Sequence, residues 1–372
     1  MLLLTCISGA PAIPAISSRR LCFDIVVPAH NEAAGIGGVL ASLRQLEWAA
    51  DRFRILVVAD NCGDGTAAIA RAAGAFVLER DDLALRGKGY ALQAGFSASA
   101  RSGWADAVVV VDADSAVTPR LLEAFAARIE RGAGVMQAHY GVLNPGASWR
   151  TRLMSIALGS FHRVRSRARE HLRVSCGLRG NGWCITHRLL REVPYLAFSL
   201  TEDVEYGIDL GIAGHRVEYV DEAEVLGVMV SGARAAAVQR QRWEGGRIRL
   251  IRTRLGPLLR GSPRPVDRVR LDLALDLLVA PLSMVTLAVA AWVGAAAAAT
   301  LWEPRLAPWL WAGLLCVASL STYVLRGWQL SGVGVRGLVD LAYAPWFAAS
   351  KVLLMLRAHD STRWIRTERE RK

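Results

Sequence analysis

Ala107-Val108-Val109-Val110-Val111-Asp112-Ala113-Asp114 is the stretch that decides the fold. Its apolar run, bounded by polar residues, predicts a buried parallel strand. Such a strand delivers its C-terminal residues to the edge of an open α/β sheet, where ligands bind. Two carboxylates placed there, one residue apart, are costly to bury without a positive partner. A divalent cation on a phosphate group answers that cost, because Mg²⁺ and Mn²⁺ prefer hard oxygen ligands. Taken alone, Asp-x-Asp is also a common solvated loop, so the surrounding chain decides its meaning.

Upstream, from Phe23 to about Tyr140, strand and helix patterns alternate. Phe23 to Val27 is an apolar run ending at Pro28. Ala33 to Trp48 has helical spacing, with Ile36, Leu40 and Leu43 on one face. Arg54 to Ala59 predicts a second strand, followed by the turn-rich Asp60-Asn61-Cys62-Gly63-Asp64-Gly65 and a helix from Thr66. A strand at Ala75 to Leu78 and a helix after Lys88 lead to the strand ending at Asp112. The alternation predicts an α/β fold with a mostly parallel central sheet and right-handed crossovers. No G-x-G-x-x-G follows the first strand, which disfavours a dinucleotide fold.

The chain has 372 residues, enough for two or more core-forming units. Hydrophobic residues make up 53%, mean hydropathy is +0.27 and the formal net charge is +12. That combination predicts a membrane protein with a basic cytoplasmic face. Lys and Arg cluster beside the long apolar stretches, which favours lipid headgroups over nucleic acid as the partner. Cys6, Cys22, Cys62, Cys176, Cys184 and Cys316 are scattered without a C-x-x-C pair, so no disulfide framework or zinc site is indicated. Met1 to Ser18 is apolar, contains Pro11 and Pro14, and precedes Arg19-Arg20. This predicts a membrane-associated leader or a disordered start rather than a cleaved signal.

Ser148 to Leu172 reads as an amphipathic helix, with Leu153, Ile156, Ser160, Phe161 and Val164 on one face and Arg163, Arg165, Arg167 and Arg169 nearby. Gln239 to Leu259 has the same character. A basic amphipathic helix lies in the membrane interface or presents a solvated face. Leu273 to Leu301, uncharged except for Asp276, and Ala307 to Leu325 are each long enough to cross a membrane, which takes about 20 residues. Leu338 to Leu356 contains Asp340, Pro345 and Lys351, and is expected to be interfacial or re-entrant. Two spans put the basic segments Arg260 to Arg270 and Arg357 to Lys372 on the same, cytoplasmic side.

Several segments carry candidate chemistry. Pro28-Ala29-His30-Asn31-Glu32 follows the first strand, and Asp60 ends the second. An acid at such an edge can accept hydrogen bonds from a base or ribose, and Asn31 and Asp60 also suit turns or caps. Arg86-Gly87-Lys88-Gly89 opens a helix, where Lys and the helix N-terminus favour a phosphate. In Thr201-Glu202-Asp203, Thr201 is a candidate N-cap and the acids suit the helix dipole. A carboxylate there is also a natural general base for a hydroxyl. Gln239-Arg240-Gln241-Arg242-Trp243 joins an aromatic face to guanidinium groups, which suit a sugar ring and a diphosphate.

In this order these segments resemble the family 2 glycosyltransferases of GT-A fold. The resemblance covers roughly Phe23 to Leu255 and rests on Val-Pro-Ala-His-Asn-Glu at 27–32, Val-Ala-Asp-Asn at 58–61, Arg-Gly-Lys-Gly at 86–89, Asp-Ala-Asp at 112–114, Gly-Asn-Gly at 180–182, Thr-Glu-Asp at 201–203 and Gln-x-x-Arg-Trp at 239–243. It implies that Glu32 and Asp60 hold uridine, Asp112 the nucleotide and Asp114 a Mg²⁺ or Mn²⁺. Lys88 would lie near the phosphates and Glu202 beside the substrate. Asp203 would be the general base, with Gln239, Arg242 and Trp243 closing over diphosphate and acceptor. One displacement would invert the anomeric centre.

The implied organisation is an apolar leader at 1–20, a GT-A domain at 21–235 and a basic interfacial segment at 236–270. A transmembrane region follows at 271–358, with a basic cytoplasmic tail at 359–372. Gln-x-x-Arg-Trp is typical of cellulose, chitin and hyaluronan synthases, but two spans hardly wall a polymer channel. A single transfer from a UDP-sugar to a membrane lipid, as in the similar ceramide glucosyltransferases, or one step of exopolysaccharide assembly is therefore expected. The enzyme would sit in the bacterial inner membrane, and other polysaccharide-biosynthesis proteins are further implied partners. The alternative is a non-catalytic UDP-binding component of a secretion complex, against which the intact Asp112, Asp114, Asp203 and Arg242 argue.

Overall fold

The computed structural model describes residues 1–229, 233–260, 267–346 and 349, and for 233–244 the backbone alone. After a short helix α1 (Leu2–Cys6), strands β1 (Phe23–Ala29), β2 (Phe53–Asp60), β3 (Phe76–Arg80) and β4 (Ala107–Val110) form the parallel half of the sheet in the order β3-β2-β1-β4. Helices α2 (Ile36–Leu43), α3 (Thr66–Ala72) and α4 (Lys88–Ser102) make the crossovers. The sheet continues through β5 (Ser115–Val117), β6 (Val135–Val142), β7 (Trp183–Thr186) and β8 (Glu218–Gly227), with α5 (Leu121–Ile129) between β5 and β6. Its full order is β3-β2-β1-β4-β7-β6-β8-β5. β7 runs antiparallel to both neighbours and β5 antiparallel to β8. The expected mostly parallel α/β sheet is therefore present.

Alternation along the strands divides the core. Phe23, Ile25 and Val27 pack with Leu40, Leu43, Leu121 and Phe125 on one face. Val26, Val58, Val108 and Val110 pack with Leu92, Phe96, Trp183 and Tyr206 on the other. Burial on both faces explains why these strands read as continuous apolar runs. The first helix is shorter than the spacing over Ala33 to Trp48 predicts. α2 stops at Leu43, and the Glu47 amide donates to the Pro119 carbonyl instead of continuing the helix.

The arginine-rich segment departs from expectation. α6 (Trp149–Leu158), a π-helical turn at Gly159–Val164 and α7 (Arg165–His171) form one rod. Arg165, Arg167 and Arg169 are buried rather than presented at an outer face, Arg169 being only 2% exposed. Spacing explains their destination, because residues four apart share a helix face. Arg163 and Arg167 meet Asp221 at 3.0 and 2.6 Å. Arg165 and Arg169 meet Asp276, the latter at 3.0 Å, and Arg169 also lies 3.3 Å from Asp272.

Helices α8 (His187–Glu192) and α9 (Glu202–Ile212) complete the α/β domain, and α10 (Ala233–Leu259) packs on α9. α10 is not simply an interfacial helix, for Arg254 pairs with Glu205 and Asp209 at 3.0 Å each. The apolar stretch 273–301 is not one helix. α11 (Arg268–Leu278) packs on α9 and α10, and Val279 to Pro281 separates it from α12 (Leu282–Trp302). Asp276 is drawn to the buried arginines, and Pro281 has no amide to continue the helix. Among the described residues, two helices are long and apolar enough to cross a membrane, α12 and the stretch Pro304–Ser331, mostly α13 (Ala307–Ser331).

α13 lies on the π-helical turn. A Cβ on Gly159 would stand 2.5 Å from the Gly327 carbonyl oxygen, so the two backbones touch through paired glycines. The Tyr323 hydroxyl donates to the Ser160 carbonyl at 2.8 Å. α14 (Gly334–Asp340) ends at Asp340, which pairs with Arg152. Most of the expected interfacial helix beyond residue 346, and the basic tail, lie outside the described residues. The leader is ordered along the domain. The Ser17 amide donates to Glu123 at 2.6 Å, and Arg326 donates to Ser8 at 3.2 Å.

The buried and surface ion pairs should separate clearly on mutation. Asp276→Asn leaves buried guanidiniums facing one another and should cost about 3 kcal/mol or more. Arg71→Ala breaks a pair whose partners are both 52% exposed and should cost less than about 1 kcal/mol. Thermal unfolding in neutral detergent reads both, and equal melting shifts would refute this account.

Candidate active site

The parallel strands end together. Register pairs Ala29 with Ala59, so His30 to Glu32 and Asp60 emerge side by side. Each strand end turns at an asparagine in the left-handed region, Asn31 at φ 54° and Asn61 at φ 51°. Asparagine tolerates that conformation better than most residues. Asn31 Oδ1 accepts from the Gly63 amide at 2.7 Å, and the Glu32 amide donates to Thr66 Oγ1 at 2.8 Å. His30 Nδ1 is 2.7 Å from the Asp60 carbonyl oxygen. These bonds join the two turns into one edge.

Asp60 is buried and does not stand alone. Arg80 donates to its Oδ1 at 2.6 Å. Arg80 ends β3 directly opposite Asp60 in the register, and its guanidinium lies 5.6 Å from the centre of the Tyr90 ring. Arg80 was not among the sequence candidates. The signal for it was present, because it is the polar residue that terminates the third strand.

The Asp-x-Asp segment is held by a residue of the Gly-Asn-Gly motif. The Asp112 amide donates to Asn181 Oδ1 at 3.0 Å, and Asn181 Nδ2 donates to Ser115 Oγ at 2.7 Å. Asn181 is 1% exposed, so its bonds bridge the two loops from inside. Gly180, at φ +81°, accepts Lys88 Nζ on its carbonyl. A side chain on Gly180 would come within 3.3 Å of Asp203 Oδ2, so glycine is needed both for the turn and for the close approach.

Lys88 is the hub of the site. Its ammonium stands 2.5 Å from Asp112 and 3.8 Å from Glu202. Burial works against that charge, but Asp112 and Glu202 outweigh it and hold its pKa above the ordinary value. Glu202 and Asp203 occupy the first turn of α9. Burial pushes Glu202 up to about 7, against the pull of Lys88 and with a further push from Asp203. Burial likewise raises Asp203, which Lys88 opposes. Both acids of this turn are thus held above the ordinary carboxylate range, Glu202 the further of the two, with Lys88, Asp203 and Asp112 as its charged neighbours. Thr201 stands at the N-cap position, but its side chain makes no capping hydrogen bond. It packs instead under Gly246 of α10.

The donor set suits a hard cation that is completed by a ligand. Among the described residues no group of three or more His, Cys, Asp or Glu side chains is placed to hold a metal. Asp114 supplies carboxylate oxygens, with Asp112 next to it on Lys88 and Tyr140 near both. Burial first, then those two acids, keep the Tyr140 phenol protonated. Mg²⁺ and Mn²⁺ bind through one or two carboxylates plus phosphate oxygens and water, so the residues present fit such an ion.

One cavity of roughly 740 Å³ gathers these groups. Glu32, Asp60, Lys88, Asp112, Asp114, Glu202 and Asp203 all line it. The side chains of Gln239, Arg242 and Trp243 lie outside the described residues, although their backbones belong to α10. The same cavity is also lined by Leu273 and Leu277 of α11, Leu282 at the start of α12 and Tyr323 of α13.

Residues 20–246 match the family described as glycosyltransferase like family 2. The probable glycosyltransferase YdaM of Bacillus subtilis (strain 168) is 25% identical over 211 residues, which cover 54% of this chain and 49% of that protein. The chain thus spans about half the length of the curated relative it matches. The mannosyltransferase PcManGT from Pyrobaculum calidifontis, solved in complex with GDP-Man and Mn²⁺, is 16% identical with a TM-score of 0.51, over 87% of this chain and 92% of that one. Residues 1–349 of S. aureus TarS, solved in complex with UDP-GlcNAc, are 13% identical with a TM-score of 0.51, over 85% of this chain and 92% of that one. At those identities the likeness is one of fold, a GT-A α/β sheet followed by helices. With well over half of its length matched by the family, the chain belongs to glycosyltransferase family 2.

Proposed function

We propose that the chain is a membrane-anchored, inverting glycosyltransferase that moves a sugar from a UDP-sugar to a membrane lipid or to a growing envelope glycan. The observation that carries this reading is the single cavity that joins the strand-end acids to an apolar cleft at the first membrane-length helix. Glu32 and Asp60 hold the uridine, with Arg80 fixing the Asp60 carboxylate. Asp112 faces the nucleotide and Lys88 neutralises part of its diphosphate. Asp114 would hold the Mg²⁺ or Mn²⁺, whose charge stabilises the diphosphate as it departs. Gln239, Arg242 and Trp243 close over diphosphate and acceptor.

The acceptor hydroxyl oxygen bonds to the anomeric carbon as the carbon–oxygen bond to the β-phosphate breaks. The electron pair of that bond leaves with the nucleoside diphosphate, and the hydroxyl proton passes to Asp203. Attack from the face opposite the leaving group inverts the centre, and no second carboxylate nucleophile is needed. α12 and α13 cross the inner membrane as a hairpin, which leaves the catalytic domain on the cytoplasmic side. Trp302, Trp309 and Trp311 are exposed near the hairpin turn, where a membrane interface favours tryptophan.

Asp203→Asn should lower UDP release from a UDP-sugar by at least about a hundredfold, while UDP affinity by calorimetry stays within a few-fold of the parent. Full turnover in that variant would remove Asp203 as the base. The pH dependence has a definite sign. Raised carboxylates take up a proton as pH falls, so kcat/KM should decline below about pH 7, where Glu202 titrates, with a plateau above. Lys88 stays charged throughout. Lys88→Met removes the charge that opposes protonation of both acids, so its acidic limb should move to higher pH. A limb that stays in place, or moves down, would contradict the electrostatics.

A further inference from the structure

Beyond Asp203 the cavity is lined by arginine as well as by leucine. Arg165 and Arg179 line it beside Phe161 and His162 of the π-helical turn. Such turns are rare and recur at functional sites. Both guanidiniums stack on Phe161, each 4.7 Å from the ring centre, so one aromatic plate fixes the two cations. Three guanidiniums here face the two carboxylates Asp272 and Asp276, with Asp203 acting on Arg179 from farther away. Arg165, Arg169 and Arg179 share Asp272 and Asp276. Arg179 has the poorest share, with its Nη1 4.0 Å from Asp276. Its Nη2 donates to the Cys176 carbonyl at 2.7 Å, while among the described residues its Nε has no hydrogen-bond partner. Burial, then the neighbouring arginines, pull its pKa below the ordinary value despite Asp276.

A buried cation without a full counter-charge is costly, and an anion that enters the cavity relieves that cost. Arginine suits phosphate in particular, because its planar fork meets two oxygens at once. The neighbouring surface tells what carries the phosphate. Leu273 and Leu277 of α11 and Leu282 at the start of α12 line the same cavity, which gives an acyl chain an apolar path from the arginines to the first membrane-length helix. On the other side, Gly180 follows Arg179 in sequence and abuts Asp203.

We propose that Arg179 and Arg165, set on Phe161, form a subsite for the phosphate of a lipid headgroup, so that the acceptor is a phospholipid whose hydroxyl is presented to Asp203. This inference rests on the glycosyltransferase reading above for the role of Asp203. It narrows the acceptor from any lipid or glycan to an anionic lipid.

The test uses the full chain in neutral detergent and three probes: dioctanoyl phosphatidylglycerol, dioctanoylglycerol and sn-glycerol 3-phosphate. Binding is read by native mass spectrometry, alongside UDP affinity. Phosphatidylglycerol should bind at least about tenfold more tightly than either other probe, the size expected from one charge-assisted hydrogen bond. Arg179→Gln should erase that margin over dioctanoylglycerol. If Arg179→Gln loses its melting transition, Phe161→Leu supplies the same comparison and should reduce the margin several-fold. Equal binding of phosphatidylglycerol and dioctanoylglycerol overturns the phosphate subsite. Equal binding of phosphatidylglycerol and glycerol 3-phosphate overturns the lipid. A parent protein that binds phosphatidylglycerol selectively but not UDP defeats the glycosyltransferase reading and leaves the subsite standing.

Discussion

The convergence of buried arginines on Asp276 is the constraint on which the rest of the architecture depends. Asp276 sits in α11, within a stretch otherwise apolar enough to be taken for membrane. Burial alone would raise its pKa. Arg169, Arg165 and Arg179 outweigh that and hold its carboxyl well below the usual range. A charge so placed cannot move into lipid, so α11 stays on the catalytic domain and the membrane-length helices begin only after Pro281. The apolar mouth of the cavity is therefore set beside the acids. The same lattice brings three guanidiniums to Asp272 and Asp276, and two of them, Arg165 and Arg179, line the cavity.

A second, smaller lattice sets the chemistry. Lys88 brings Asp112 and Glu202 within reach of one ammonium, and Asn181 ties the Asp-x-Asp segment to the glycine turn beneath Asp203. These groups come from four separate parts of the chain. Their mutual electrostatics depend on burial as much as on distance. In water the acids would titrate independently near pH 4. In the closed site Glu202 is carried to about 7. Lys88 opposes that rise in both Glu202 and Asp203.

Much of this was legible in the sequence. The apolar runs ending at Val27, Ala59 and Val111 identify parallel strands because burial on both faces leaves no room for polar alternation. Glu32, Asp60, Lys88, Asp112, Asp114, Glu202 and Asp203 were identifiable because each follows a strand or opens a helix, where side chains reach an open sheet edge. All of them line one cavity. Arg80 and Asn181 were harder to find, since their roles lie in bonds to a partner distant in sequence. The arginines of 163–169 misled for a physical reason. Their helical spacing fits an interfacial helix and a buried one equally well, and only the positions of Asp221, Asp272 and Asp276 separate the two.

Local sequence by itself determined the α/β alternation, the strand ends, the acids at the sheet edge and the apolar character of the C-terminal third. These follow from side-chain period, chain stiffness and composition, all of which act over a few residues. Tertiary structure alone decided that Asp276 leaves the apolar stretch and that α11 belongs to the catalytic domain. It also decided that Glu202 titrates near neutral pH and that the cavity turns from acids to arginine and leucine. Each of these depends on electrostatic pairing in a low-dielectric interior. That pairing is set by which distant charges meet, and the order of residues along the chain does not contain it in any local form.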